Sequence, residues 1–300
     1  MKIIQFKIKD CPMKYKQLGD NKISAIGLGA MPLSLSGRPS ESNAISVIHK
    51  ALDLGVTLID TSDAYCKDES DKHHNESLIA KALQQYSKDT SSVTVATKGG
   101  LLRPEGKWTQ DGNPDRLRKT IRESHTILGG SKPIDLWQYH APDTNYTIEE
   151  ALTPVKEAVA EGLIRYVGVS NFTVEQIEQA REVVDIVSVQ NQYNPWHRQP
   201  EFDGVLDYCQ QEGLIFFPWS PLGGSSRVKG LQDIKVIAEL AENREVSVHQ
   251  IVLGWLQAKY SCIVPIPGAS RVSSIEDSVK AVDLKLSDEE IKRIDEGLDR

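Results

Sequence analysis

The chain has 300 residues, 39% hydrophobic and 26% charged, with a formal net charge of −7 and a pI near 5.6. That composition suits a large core and excludes the basic stripe that nucleic acid or an anionic membrane surface would require. No signal peptide or membrane span is legible, and Cys11, Cys66, Cys209 and Cys262 are too dispersed for a C-x-x-C pair, so free thiols in a reducing, cytoplasmic setting are expected.

In chain order, residues 1–13 read as an N-terminal extension and 14–300 as one domain, with Met13 at the junction. The segment 15–19 is expected to form a small hairpin with the residues around 23–26. Strand-like runs follow at 23–30, 56–60, 92–97, 134–139, 164–169, 185–190, 214–219 and 262–266. Helix-periodic stretches separate them. In 147–161, Ile148, Leu152, Val155 and Val159 recur at helical spacing. Thr147 with Glu150, Thr173 with Gln176 and Ser287 with Glu290 have the capping-box relation at three helix starts. Alternating β and α implies parallel strands with crossover helices. Eight strand candidates, with no linker dividing them, predict a closed α/β (β/α)8 TIM barrel rather than an open doubly wound sheet.

A barrel of this type carries its site at the C-terminal strand ends. Standing there are Asp60 with Tyr65 in the following loop, Lys98, His140, Ser170 with Asn171, and Gln190, then the stretches "PWSPLGG" and "IPGASR". Each alone has an ordinary reading: a helix cap, a surface charge, a satisfied core histidine, a packed ring. Together they converge on one mouth, and their chemistry is coherent. A phenol is protonated at neutral pH and can donate to a developing alkoxide. A neighbouring Lys98 ammonium would lower its pKa, Asp60 would hold Lys98, and His140 could polarise a carbonyl. Such a set lacks a hydride source, so a cofactor must supply one.

The stretches "LIDTSDAY", "VATKGG", "LWQYHAPD", "GVSNF", "VQNQYN", "PWSPLGG" and "IPGAS" resemble the aldo-keto reductase superfamily, in the right order and over nearly the whole chain. The resemblance implies that Asp60, Tyr65, Lys98 and His140 form a catalytic tetrad with Tyr65 as general acid. It implies NADPH bound across the barrel mouth without a Rossmann domain. Gly29 and Met31 would approach the cofactor beside Asp60, and Ser170, Asn171 and Gln190 would hold the carboxamide. Trp219 would stack on the nicotinamide, and Ser220, Pro221, Leu222 and Gly223 would wrap the pyrophosphate. Ile266, Gly268, Ser270 and Arg271 match the segment at the adenosine 2′-phosphate, for which a guanidinium suits a dianion. Asp277 and Ser278 stand where many relatives have Glu-Asn for the adenine. The implied activity is reduction of small-molecule aldehydes and ketones. The alternative is an NADPH-binding regulatory or sensor subunit on a membrane channel, with weak reductase activity.

Other patterns are decoys. "GLGAMP" at 27–32 begins like a dinucleotide fingerprint but ends in Pro32. No G-x-S-x-G elbow exists. His73 and His74 lie in a charged stretch expected to be a solvated loop, and no metal site is expected. The long loop after the third strand carries Trp108, a candidate substrate wall or an exposed lid residue. The chain's end at Arg300 suggests an open mouth with broad carbonyl tolerance. Cys66, next to Tyr65, is expected to be an inert thiol, with oxidation sensitivity the alternative.

Overall fold

Seven short runs pair side by side in parallel: β1 (Leu28–Gly29), β2 (Leu58–Asp60), β3 (Thr94–Gly99), β4 (Ile134–Tyr139), β5 (Ile164–Ser170), β6 (Ile186–Gln190) and β7 (Ile215–Phe216). Each pairs with its neighbour in chain order, as right-handed βα units dictate. The computed structural model describes residues 13–298; the rest of the expected N-terminal extension, Cys11 included, lies outside the described residues. Met13 itself packs against the barrel's outer core.

The eighth stave closes the barrel without being a regular strand. The amide of Phe216 donates to the Cys262 carbonyl (3.0 Å) and that of Val264 to Phe216 (2.9 Å). On the other edge Gly27 donates to Pro265 (2.9 Å) and Gly29 to Pro267 (3.0 Å). The two prolines lack the N–H that a ladder on both sides requires, so 262–266 joins its neighbours through these few bonds instead of the strand expected there. The expected first strand at 23–30 also divides. Its start belongs to a hairpin, Tyr15–Leu18 with Asn21–Ser24, and only Leu28–Gly29 joins the barrel.

Register sorts the barrel interior into layers. Asp60 pairs with Ala96, and Lys98 lies two residues beyond Ala96, on the same inward face. Below this level the inward residues are apolar: Leu58, Ala96, Leu136, Ile215, Phe217, Val264 and Ile266, sealed by Leu18 and Ile23 of the hairpin. One pleat higher the same columns turn polar, with Asp60, Lys98, Gln138 and Gln190 all buried. The outward faces pack on helices: Trp137, Tyr139, Val167, Val169 and Val189 join one cluster, Ile59 and Val95 another. The expected capping boxes form complete, at Thr147 for the helix Ile148–Ala160 and at Thr173 for the helix Val174–Val183. Ser287 and Glu290 exchange bonds at the last helix start.

Candidate active site

Asp60 ends β2, and its carboxylate meets Lys98, the one fully buried lysine among the described residues. Lys98 Nζ donates to Asp60 Oδ2 (2.8 Å), to the Thr61 carbonyl (2.7 Å) and to Tyr65 Oη (2.9 Å). All three ammonium hydrogens are thereby used. Because Lys98 donates into Tyr65 Oη, the phenol's own proton remains for another acceptor. Gln190 Nε2 holds the other Asp60 oxygen at 2.9 Å.

The electrostatics differ from the sequence expectation at one point. Lys98 does not bring the phenol below its ordinary value. Burial, and after it the Asp60 and Asp63 carboxylates, hold Tyr65 well above the usual value. Burial likewise depresses Lys98, opposed by Asp60. Desolvation of a sealed floor outweighs a single ammonium that is already shared with a carboxylate. Tyr65 therefore keeps its proton at neutral pH.

His140 follows β4, and its amide donates to the Gly99 carbonyl (3.0 Å). Its ring stands edge-on to Tyr65, centroids 5.8 Å apart. Burial and the nearby Lys98 charge push it well below the usual imidazole range, so it is neutral. Its Nδ1 lies 3.3 Å from Ser62 Oγ. Nε2 makes no hydrogen bond and is not among the sealed unpartnered atoms, so it faces the mouth. Ser62 Oγ accepts from the Ala64 amide (3.1 Å) and has one proton to place, toward His140 Nδ1, Asp63 Oδ1 (3.1 Å) or the Lys98 carbonyl (3.4 Å).

Ser62 and Asp63 were not singled out from sequence, although both lie inside "LIDTSDAY". Asp63 is fully enclosed; its Oδ2 accepts no hydrogen bond and has only Lys72 Nζ at 3.8 Å, and burial raises its carboxyl to about 6. Around it is a brace that overturns the solvated-loop reading of the two histidines. His73 sits at the N-terminal boundary of the helix His74–Gln85 with φ 64°, is buried, and bonds Glu76 (2.5 Å) and Glu123 (3.2 Å). Glu76 also accepts from Thr97 Oγ1 (2.5 Å). The His73 amide donates to the Asp63 carbonyl (2.8 Å), tying this brace to the loop that carries Tyr65. Burial disfavours the His73 charge, but Glu76 more than compensates and raises it. His74 meets Ser34 instead, 2.8 Å. Cys66 is buried, donates to the Ala64 carbonyl (3.3 Å), and burial pushes its thiol up to about 12, the inert reading.

Around the mouth, Asn171 bridges the His140 carbonyl (2.9 Å) and Trp219 Nε1 (2.9 Å), in a left-handed backbone with φ 62°. Ser170 lies beside it at 3.2 Å. Trp108 is 43% exposed, yet its ring leans on both Tyr65 (6.3 Å) and His140 (6.4 Å), so it forms a wall. Beyond the rim, Ser220 to Gly223 make a turn closed by Gly223 N–H to the Ser220 carbonyl (2.8 Å). Gly29 and Gly268 bridge the closing staves; a Cβ on Gly29 would lie 2.6 Å from the Ile266 carbonyl oxygen, so only glycine closes the barrel there. Met31 sits half-buried just after β1. Ser270 and Arg271 are exposed at the start of the Val272–Val279 helix, with no ion pair to Arg271 among the described residues. Asp277 and Ser278 follow on that helix, and both are engaged by the protein itself. Asp277 is held by Ser247 and Gln250, both at 2.6 Å, and Ser278 is buried. No helix among the described residues is long and apolar enough to cross a membrane.

The sequence profile of the aldo/keto reductase family matches residues 25–299. The chain is 34% identical over 285 residues to an uncharacterized oxidoreductase of Schizosaccharomyces pombe, covering 93% of this chain and 88% of that one. It is 32% identical over 294 residues to the pyridoxine 4-dehydrogenase of Escherichia coli, covering 94% and 97%. Among solved structures it is similar to a thermostable aldo-keto reductase in complex with the inhibitor epalrestat, with a TM-score of 0.79 at 32% identity, covering 95% of this chain and 100% of the other.

Proposed function

Since this chain belongs to the aldo-keto reductase family, we propose that it reduces aldehydes and ketones to alcohols, with NADPH as hydride donor and Tyr65 as general acid. The observation that carries the reading is Lys98 Nζ, held between Asp60 and Tyr65 at the head of the barrel.

The residues do the following work. The substrate carbonyl oxygen is received between Tyr65 Oη and His140 Nε2. Tyr65 holds its proton through burial and delivers it as negative charge gathers on that oxygen. The Lys98 hydrogen bond strengthens as the phenolate forms, because a fixed donor gains most where charge develops. Ser62 gives its proton to His140 Nδ1, which leaves Nε2–H pointing at the substrate. The reduced nicotinamide, when bound, supplies the hydride. Ser170, Asn171 and Gln190 would hold its carboxamide and Trp219 its ring. The 220–223 turn would take the pyrophosphate. Exposed Ser270 and Arg271 suit the 2′-phosphate, which favours NADPH over NADH. Asp277, already bonded to Ser247 and Gln250, and buried Ser278 make a weaker case for adenine contacts. The buried free thiols suit a reducing cytoplasm.

The test is NADPH consumption with 4-nitrobenzaldehyde by wild type and Tyr65→Phe. Turnover in the wild type, falling about 10²- to 10⁴-fold in the variant with NADPH affinity retained, is the expected result. Tight NADPH binding without turnover across a panel of aldehydes would return the regulatory-subunit reading. In the same assay Arg271→Met should raise KM for NADPH and leave KM for NADH in place; an equal effect on both would remove the 2′-phosphate role.

A further inference from the structure

The loop after β3 is a small hairpin, Leu101–Leu102 against Thr109–Gln110, and it brings Arg103 and Trp108 together. The Arg103 guanidinium lies 4.0 Å from the Trp108 ring centroid, on the wall whose other contacts are Tyr65 and His140. Arg103 is 6% exposed. Among the described residues, Lys98 and Arg103 are the two basic lysine or arginine side chains buried to this degree, and their surroundings are opposite. Lys98 has Asp60. Among the described residues Arg103 has no carboxylate ion pair; the nearby Glu69 instead accepts from the Arg103 backbone amide. Its one guanidinium hydrogen bond is a long one, Nη2 to the Lys67 carbonyl at 3.4 Å. Nε is sealed and unpartnered. Nη1 has no hydrogen-bond partner among the described residues and is not among the sealed atoms, which leaves it accessible.

A guanidinium cannot discharge by losing its proton, and a buried one without a counter-ion is costly. Stacking on Trp108 offsets part of that cost but satisfies none of the in-plane donors. What satisfies them is a planar or tetrahedral oxyanion, for which the guanidinium fork is shaped. The chain as a whole is negative, so a local cation at the mouth is what an anionic substrate would need.

We propose that Arg103 is an anion-recognition residue on the substrate wall, and that the preferred substrates are carbonyl compounds carrying a carboxylate or phosphate group. The proposal rests on the reductase reading for its carbonyl, not for its anion. Two kinds of measurement keep the two apart. Kinetically, wild type, Arg103→Met and Arg103→Lys are compared on matched pairs: benzaldehyde with 3-carboxybenzaldehyde, and glyceraldehyde with glyceraldehyde 3-phosphate. The wild type should favour an anionic member by about tenfold or more in kcat/KM, mostly through KM, as a charge-assisted bond would give. The anionic-to-neutral ratio should collapse toward one in Arg103→Met and be intermediate in Arg103→Lys, which keeps the charge but not the fork. The pair with the larger ratio identifies the anion. A ratio unchanged in the variants, or a wild type favouring the neutral members, overturns the proposal and leaves the reductase reading intact. Without turnover, benzoate and inorganic phosphate are titrated against tryptophan emission. Binding at least tenfold weaker in Arg103→Met would support the anion site even if no aldehyde were reduced, and equal binding would sink it. Arg103→Lys covers the case in which Arg103→Met does not fold.

Discussion

The floor and the wall of the mouth treat buried positive charge in opposite ways. On the floor, Lys98 spends three donors on Asp60, Thr61 and Tyr65 within 2.9 Å. On the wall, Arg103 is nearly as enclosed and leaves most of its fork unsatisfied. The floor is a finished electrostatic device. It is fixed by register, because Asp60 and Lys98 project inward from paired strands. The wall hangs from a two-residue-per-strand hairpin and is completed, on our reading, from outside. Residues that serve the chemistry are satisfied by the protein; residues that choose the substrate are left for the substrate to satisfy.

The harshest way to break this contrast is Lys98→Met. It should lower kcat by about 10²- to 10⁴-fold. It should also cost about 3–5 kcal/mol in urea denaturation, because Asp60 would stay buried and unpaired. Near-normal stability would mean that Gln190 alone can hold Asp60, and that the floor is less tightly coupled than drawn here.

Asp63→Asn sharpens the contrast through pH. Burial raises the Asp63 carboxyl from its ordinary value of 3.8 to about 6. The folded state thus holds this proton more tightly than the unfolded state. The stabilisation it provides is complete below about pH 4 and lost as pH rises through 6. The shift corresponds to about 2–3 kcal/mol. The wild-type minus Asp63→Asn difference in unfolding free energy should fall by that amount between pH 4 and 7. A flat difference would mean that Lys72 and His73, which face Asp63, neutralise it fully.

The smallest expected effect is Ser62→Ala. Losing one hydrogen bond to His140 Nδ1 should reduce kcat about tenfold, equivalent to roughly 1.4 kcal/mol. KM for NADPH should stay unchanged, and Ser62→Thr, which keeps the hydroxyl, should restore much of the rate. An unaffected kcat would show that Ser62 gives its proton to Asp63 and that His140 sets its own tautomer.

Much of the barrel was legible because its signals are local. Runs such as "IDLWQY" are strands buried on both faces, and Thr147 with Glu150 announces a helix start within four residues. The stave at 262–268 was legible as a barrel member but not in kind. Its prolines remove N–H groups that only the neighbouring staves reveal as missing. The four residues at the mouth were individually ambiguous and became readable through their order at successive strand ends.

Residue types and their spacing by themselves determined the barrel, the positions of Asp60, Tyr65, Lys98 and His140, and the resemblance they carry, since strand-like runs, helical spacing and strand ends are properties of the chain alone. Only the tertiary structure decided how those groups are charged. Desolvation depends on everything packed around a site, and it raises Tyr65 where the pairwise view had Lys98 lowering it. Tertiary structure likewise decided that His73 is a buried brace, that Asp277 is held by Ser247 and Gln250, and that Arg103 is enclosed with no counter-ion among the described residues. Each is a fact about partners distant in sequence, which a linear pattern does not contain.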